Sequence, residues 1–301
     1  MKTLYSLVKR NTKMFFKDKG AFFVSLITPI ILLILYVTFL GNVYKTTYTS
    51  AIPEGFKMSE DLLNGLVGGQ LFSSLLAVCC VTVAFCCNML MVQDKVSGAR
   101  NDLLIAPVKK SKLALSYYLA TLFSTILICV LATIACLIYL AIVGWYLSFI
   151  DILAIFLDVF LLVMFGTALS SIINHFLSSQ GQISAVGSIV SSCYGFICGA
   201  YMPISSFGTG LQKVLSFLPG TYGTSLIRNH AMRGVFNEMI NQGYPETLVT
   251  SFKDSIDCNI YFFDTKVSIL AMYLIMAATV ILLVGAYILI NKIQNKKANS
   301  K

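Results

Sequence analysis

Six long apolar stretches constrain this chain more than anything else in it. They run at 21–40, 66–92, 112–143, 150–173, 182–202 and 267–290. Each reaches the ~20 residues that a helix needs to cross the hydrocarbon core of a bilayer. Lipid offers backbone amides no hydrogen bonds, so only helices or a closed barrel can cross it. Barrel strands would be shorter and would alternate in polarity, and these stretches do neither. Composition agrees, with 57% apolar and 12% charged residues, where a soluble domain has about 45–50% and about 25%. That is too little charge to coat a surface facing water. The sequence predicts an all-α membrane protein with six transmembrane helices. The stretch at 112–143 exceeds one bilayer and must tilt or run on into water.

Charge placement predicts the orientation. Of the 22 basic residues, fifteen fall in three segments that six spans put on one side. They are Lys2, Lys9, Arg10, Lys13, Lys17 and Lys19; Lys95, Arg100, Lys109, Lys110 and Lys112; and Lys292, Lys296, Lys297 and Lys301. The only acids there are Asp18, Asp94 and Asp102. The positive-inside rule then places both termini in the cytoplasm. The net charge of +9 is thereby read as topology, with no nucleic acid implied. The first span is too long for the apolar region of a signal peptide, and no A-x-A-like site follows it. Residues 1–19 read as a cytoplasmic interfacial amphipathic helix, with Leu4, Leu7, Val8, Met14 and Phe15 toward lipid. Residues 20–291 read as the six-span domain, with a cytoplasmic loop at 93–111 and an outer segment at 203–266. Residues 292–301 read as a basic tail.

Four features within this frame could carry function. The loop from Asp94 to Pro107 contains Lys95, Gly98 and the apolar run Leu103, Leu104 and Ile105, which suits a short surface helix stopped by Pro107. Its apolar residues would face cytoplasmic water unless a partner protein or the headgroup layer covered them. After the fifth span, the apolar piece from Phe207 to Pro219 is too short to cross. Pro203 and Pro219 bound it, which predicts a re-entrant helical hairpin followed by Tyr222. The fifth span carries Ser184, Gly187, Ser191, Gly195 and Gly199 at spacings of three and four. That stripe predicts a packed helix interface, within the chain or between two chains. Asp158 shares a helical face with Asp151, two turns inside the fourth span. It is either an intramembrane polar site, or a carboxylate near headgroup level or bonded to a neighbouring helix.

Other chemistry finds little support. Eight of the nine cysteines lie in spans and read as small apolar residues. His175 and His230 are far in sequence from a cysteine pair, so a metal site is not expected. No phosphate loop, nucleophile elbow or H-E-x-x-H motif occurs. Ser225 and His230 lie near each other, but no acid partner is specified for a hydrolase.

The chain resembles the permease subunit of type-2 ATP-binding-cassette (ABC) exporters. The residues that carry the likeness are the basic amphipathic start and the loop Asp94-Lys95-x-x-Gly98…Leu103-Leu104-x-x-Pro107-Val108. With them goes the run Gly199…Met202-Pro203…Leu218-Pro219-x-Thr221-Tyr222…Arg228…Gly234. The resemblance implies that the loop after span two holds a coupling helix docking on a cytoplasmic ATPase. It also implies a pair of short re-entrant helices at the outer face. Many members have Glu where this chain has Asp94. The family pairs two permeases, alike or different, with two ATPases. This chain would bind no cofactor, ATP and Mg residing on the ATPase, and would have no catalytic residue. The expected role is export of a drug, lipophilic natural product, toxin or bacteriocin-like cargo from a cell membrane, fitting a bacterial one. Two alternatives stand beside it: export of polysaccharide or lipid-linked cargo, and an ion-coupled secondary transporter using Asp158.

Overall fold

The computed structural model describes residues 2–50, 52, 58–105 and 108–299. Helix α1 (Lys2–Lys17) buries Leu7, Asn11 and Phe15, each four residues from the next and so on one face. Asp18 separates it from α2 (Lys19–Leu35), accepting the N–H of Ala21 at 3.0 Å as an N-cap. A π-helical turn at Tyr36–Leu40 leads on into α3 (Gly41–Ser50).

Ser59 caps α4 (Glu60–Cys87), with Glu60 and Asp61 in the first turn, where the helix dipole favours acids. Every residue of α4 from Gly65 to Cys87 is buried. A helix apolar on all sides belongs at the centre of a bundle. Here α2, α7, α8, α9 and α11 surround it. Asn88 starts α5 (Met89–Val96), and Gly98 separates that from α6 (Ala99–Ile105).

Helix α7 (Lys110–Val143) has 34 residues, or about 51 Å at ~1.5 Å per residue. That exceeds the ~30 Å thickness of a hydrocarbon core. The turn after it is short, and Ser148 with Asp151 forms a capping box on α8 (Phe149–Phe176). Helix α9 (Gln180–Ile197) follows, capped by Ser179. Beyond it come a 3₁₀ turn at Ile204–Ser206, α10 (Thr209–Leu215), α11 (Pro219–Asn241) and α12 (Glu246–Ser255). A two-stranded antiparallel hairpin pairs Tyr261–Phe262 with Thr265–Lys266. The chain ends in α13 (Ile269–Asn299).

Five helical stretches among the described residues are long and apolar enough to cross a membrane: Lys19–Ser50, Glu60–Val96, Lys110–Val143, Phe149–Phe176 and Ile269–Ile293. The predicted fifth span, at 182–202, behaves differently. Helix α9 has 18 residues and stops at Ile197, and its glutamines, serines and glycines dilute its apolar character. The chain then doubles back, with the N–H groups of Ala200 and Tyr201 both on the Gly195 carbonyl, at 2.8 and 2.9 Å.

Helix α11 is buried along most of its length against α4, α8 and α13. Gly234 makes this approach possible, because a Cβ there would lie 1.7 Å from the Tyr146 carbonyl oxygen.

Candidate functional site

At the basic end of the bundle, a polar framework ties the helices to α6. Asn88 donates to Ser170 and Ser171 of α8, at 3.1 and 3.0 Å, and accepts from Thr121 of α7 at 3.3 Å. Two turns on, Asp94 is only 3% exposed. Arg10 of α1 grips both its oxygens, at 2.5 and 3.2 Å, and the Tyr117 hydroxyl donates to it at 2.6 Å. The bond to Asp94 holds the Arg10 guanidinium above its ordinary range. Lys95 points the other way. Its Nζ donates to the carbonyls of Asn174, His175 and Leu177, at 3.3, 2.5 and 3.1 Å. A cation there satisfies carbonyls that the end of α8 leaves open, and it meets the negative end of that helix's dipole. Asp94 and Lys95 are therefore internal braces.

Gly98 turns the chain from α5 into α6 at φ +83°, with open space around it, so it serves backbone conformation. Leu103 and Leu104 find part of their cover within the chain itself. They are half-buried against a small core of Leu7, Met91, Leu113 and Tyr117. The apolar side chain that projects is Ile105, 84% exposed. Pro107 lies outside the described residues.

A second polar framework holds α11 at the other end. Asp158, 1% exposed, faces His230 Nδ1 at 2.6 Å and accepts the Tyr273 hydroxyl at 2.5 Å. One carboxylate thereby joins α8, α11 and α13. Asp151, on the same face of α8, pairs with Arg233 Nε at 2.6 Å. Ser225 donates to the Cys258 carbonyl at 3.0 Å, so it and His230 are committed to different partners.

Arg228 is wholly buried. It donates to the Gly199 carbonyl at 2.9 Å, to Ser74 Oγ at 3.1 Å and to the Ile256 carbonyl. Asp257 lies 3.7 Å away and accepts the N–H groups of Ile204 and Ser205, at 2.5 and 3.1 Å. Burial pushes the Asp257 carboxyl up, against the opposing pull of Arg228. The residues around Pro203 are fixed this way. In the hairpin, Pro219 is the first residue of α11. Tyr222 and Thr221 donate back to the carbonyls of Ser216 and Leu215, at 2.5 and 3.0 Å, closing the end of α10.

Part of the small-residue stripe of α9 packs within the chain. The Tyr201 ring would lie 2.4 Å from a Cβ at Gly195, and its hydroxyl donates to the Ser191 carbonyl at 3.2 Å. Gly187 faces Met89, Gly199 serves Arg228, and Ser184 is exposed. The outward side of α9 carries Ile189, Cys193 and Phe196.

Sequence reading singled out neither the pairing of Arg10 with Asp94, nor Tyr117, nor the pairing of Arg228 with Asp257. One signal was available for Arg228: a lone cation in a stretch rich in glycine and apolar residues, which needs partners if buried.

These features define a multi-pass membrane protein with no soluble domain among its described residues. A family model for the ABC-2 type transporter matches residues 2–231. The chain belongs to that family, as a permease component of an ABC transporter whose ATPase is a separate partner. The match ends within α11, leaving α12, the strand hairpin and α13 beyond it. No curated protein matches the chain.

Proposed function

We propose that this chain is the membrane half of an ATP-driven exporter of a drug, lipophilic natural product, toxin or bacteriocin-like cargo. Two copies, or this chain and a related one, work with two ATPases. Helix α9 serves as the sixth span, and both termini lie in the cytoplasm of a bacterial cell. Its 18 residues reach about 27 Å, close to the ~30 Å of the hydrocarbon core. Helix α1 lies at the headgroup layer through its lysines, with Tyr5 and Met14 outward.

The observation that carries this reading is α6. It is a short helix at the basic end with an exposed Ile105, anchored through Asp94 and Lys95 to α1, α7 and α8. ATP binding closes the ATPase pair and pushes α6. The braces pass the push to those three helices, and the permease pair opens outward. ATP and Mg stay on the ATPase, and the chain itself contributes no reaction chemistry.

An ion-coupled transporter through Asp158 is the second reading. Its carboxylate already has a partner on each oxygen, which suits a fastener better than an ion site. Gentle detergent purification from native membranes, followed by mass spectrometry, tests the choice. Recovery of an ABC ATPase at about one copy per chain is expected. A preparation that keeps other complexes intact and contains no ATPase overturns the exporter reading.

A further inference from the structure

At the end of the bundle away from α6, a cavity of about 280 Å³ opens among α10, the end of α12 and the strand hairpin. Helix α12 and the hairpin supply Asp254, Tyr261, Phe263 and Asp264, and α10 supplies Gln212 and Lys213. Phe263 and Asp264 form the two-residue turn between the strands, so a ring and a carboxylate stand at neighbouring positions. Phe263 is 50% exposed and Tyr261 42%, which leaves both rings open to a ligand. Asp254 is held in place. Its Oδ1 accepts Asn259 Nδ2 at 2.6 Å and the Tyr261 hydroxyl at 3.2 Å, and Oδ2 stays open. The Asp264 side chain is exposed and joins no ion pair among the described residues. Asp257 also lines the cavity, but the N–H groups of Ile204 and Ser205 take both its oxygens.

A separate observation shows what the cavity accepts. Lys213 Nζ lies 5.6 Å from the centre of the Phe263 ring, within the reach of cation–π attraction. Lys213 is exposed and has no ion-pair partner among the described residues. An ammonium group free to stay in water lies on the ring instead. Other ligand classes fit less well. No three acidic, histidine or cysteine side chains among the described residues gather closely enough to hold a metal ion. Two uncommitted carboxylates against one ammonium disfavour an anion.

We propose that this cavity binds an organic cation, an ammonium group carried on an apolar body. The ammonium lies over Phe263 beside the carboxylates of Asp254 and Asp264, and Lys213 gives way into water. The apolar body rests on Tyr261. The site is at the opposite end from α6 and stands independently of ATPase docking.

The test uses the full chain in a non-ionic detergent and two ligands with the same ring and opposite charge, phenyltrimethylammonium and benzenesulfonate. Ligand-observed NMR titration gives the affinity of each. The cation is expected to bind and the sulfonate to bind more weakly. Asp254→Asn and Asp264→Asn should each weaken the cation about threefold, the scale of a solvent-facing charge pair. Phe263→Leu should cost about as much, through the lost ring face. Lys213→Ala removes the competing ammonium and should tighten the cation about threefold. Asp102→Asn makes the same charge change on α6, at the other end, and should leave the affinity unchanged. Equal binding of the two ions by the unaltered chain, or binding of neither, overturns the proposal. So does a Lys213→Ala protein that holds the cation less tightly, or an Asp264→Asn protein that holds it as well as the unaltered chain.

Discussion

Arg10 and Asp94, 84 residues apart, meet in a two-pronged ion pair that fastens the first helix to the segment before α6. A fork of this kind matches a carboxylate in a way that lysine cannot. Asp94 is buried, so removing Arg10 strands a charge. Arg10→Ala should cost about 2–4 kcal/mol, below the ~3–5 kcal/mol typical of fully buried pairs, because Arg10 keeps 28% exposure. Arg10→Lys should recover only part of that. Thermal unfolding of the four species of an Arg10/Asp94 double-mutant cycle measures the coupling. Strict additivity would show that the pair contributes nothing.

Ile105 and Leu103 should separate docking from folding. Ile105→Asp changes an exposed side chain, and such changes usually stay within about 0.5 kcal/mol. It should keep the melting temperature and lose ATPase recovery. Leu103→Asp puts a charge against Leu7 and Met91, so it should lower both. Co-purification and unfolding are read on the same preparations. An Ile105→Asp protein that recovers ATPase normally removes α6 from the docking surface.

Arg228 holds the bend after α9 in place. Arg228→Met removes the donor to Gly199, Ile256 and Ser74 and leaves Asp257 buried without its cation. A loss of about 3–5 kcal/mol is expected. The deficit should also depend on pH. Burial already raises the Asp257 carboxyl, and losing Arg228 raises it further. A carboxyl whose folded pKa lies above its unfolded value favours the fold when protonated, and that advantage is lost as pH rises through the folded pKa. The difference between Arg228→Met and the unaltered chain should therefore shrink on acidification. Unfolding at several pH values checks this, and a deficit that grows toward acid contradicts it.

Cys258 should be inert. It is buried, and burial pushes its thiol up to about 12. At neutral pH almost none is thiolate, the form that reacts. Maleimide treatment followed by peptide mapping should find Cys258 unmodified in the native protein and modified after denaturation. Full labelling without denaturant would place this segment in water.

The long helices were legible because apolar run length is a property of composition, and five of the six stretches became long apolar helices. Asp94, Lys95 and Gly98 were legible as a group, since a charged pair and a glycine interrupt apolar sequence. Their roles were not, because those depend on Arg10, Tyr117 and the end of α8, which lie 23 to 84 residues away. The roles of Arg228, His230 and Arg233 were hidden for a related reason, since the partner of each lies in another part of the chain. The stripe on α9 was visible as small residues. Its occupant, Tyr201, arrives only because the chain reverses at Gly199, where φ is +74°.

The burial of α4 on every side has a mechanical consequence. A helix with lipid on one flank can tilt into a fluid that yields. From Gly65 to Cys87, α4 has no such flank. Its neighbours are close-packed, and packed interiors transmit strain rather than absorb it. Any displacement of α4 must be shared at once by α2, α7, α8, α9 and α11. It works as an axle in a bearing, and a volume change as small as one methyl group on it would be felt by five helices together.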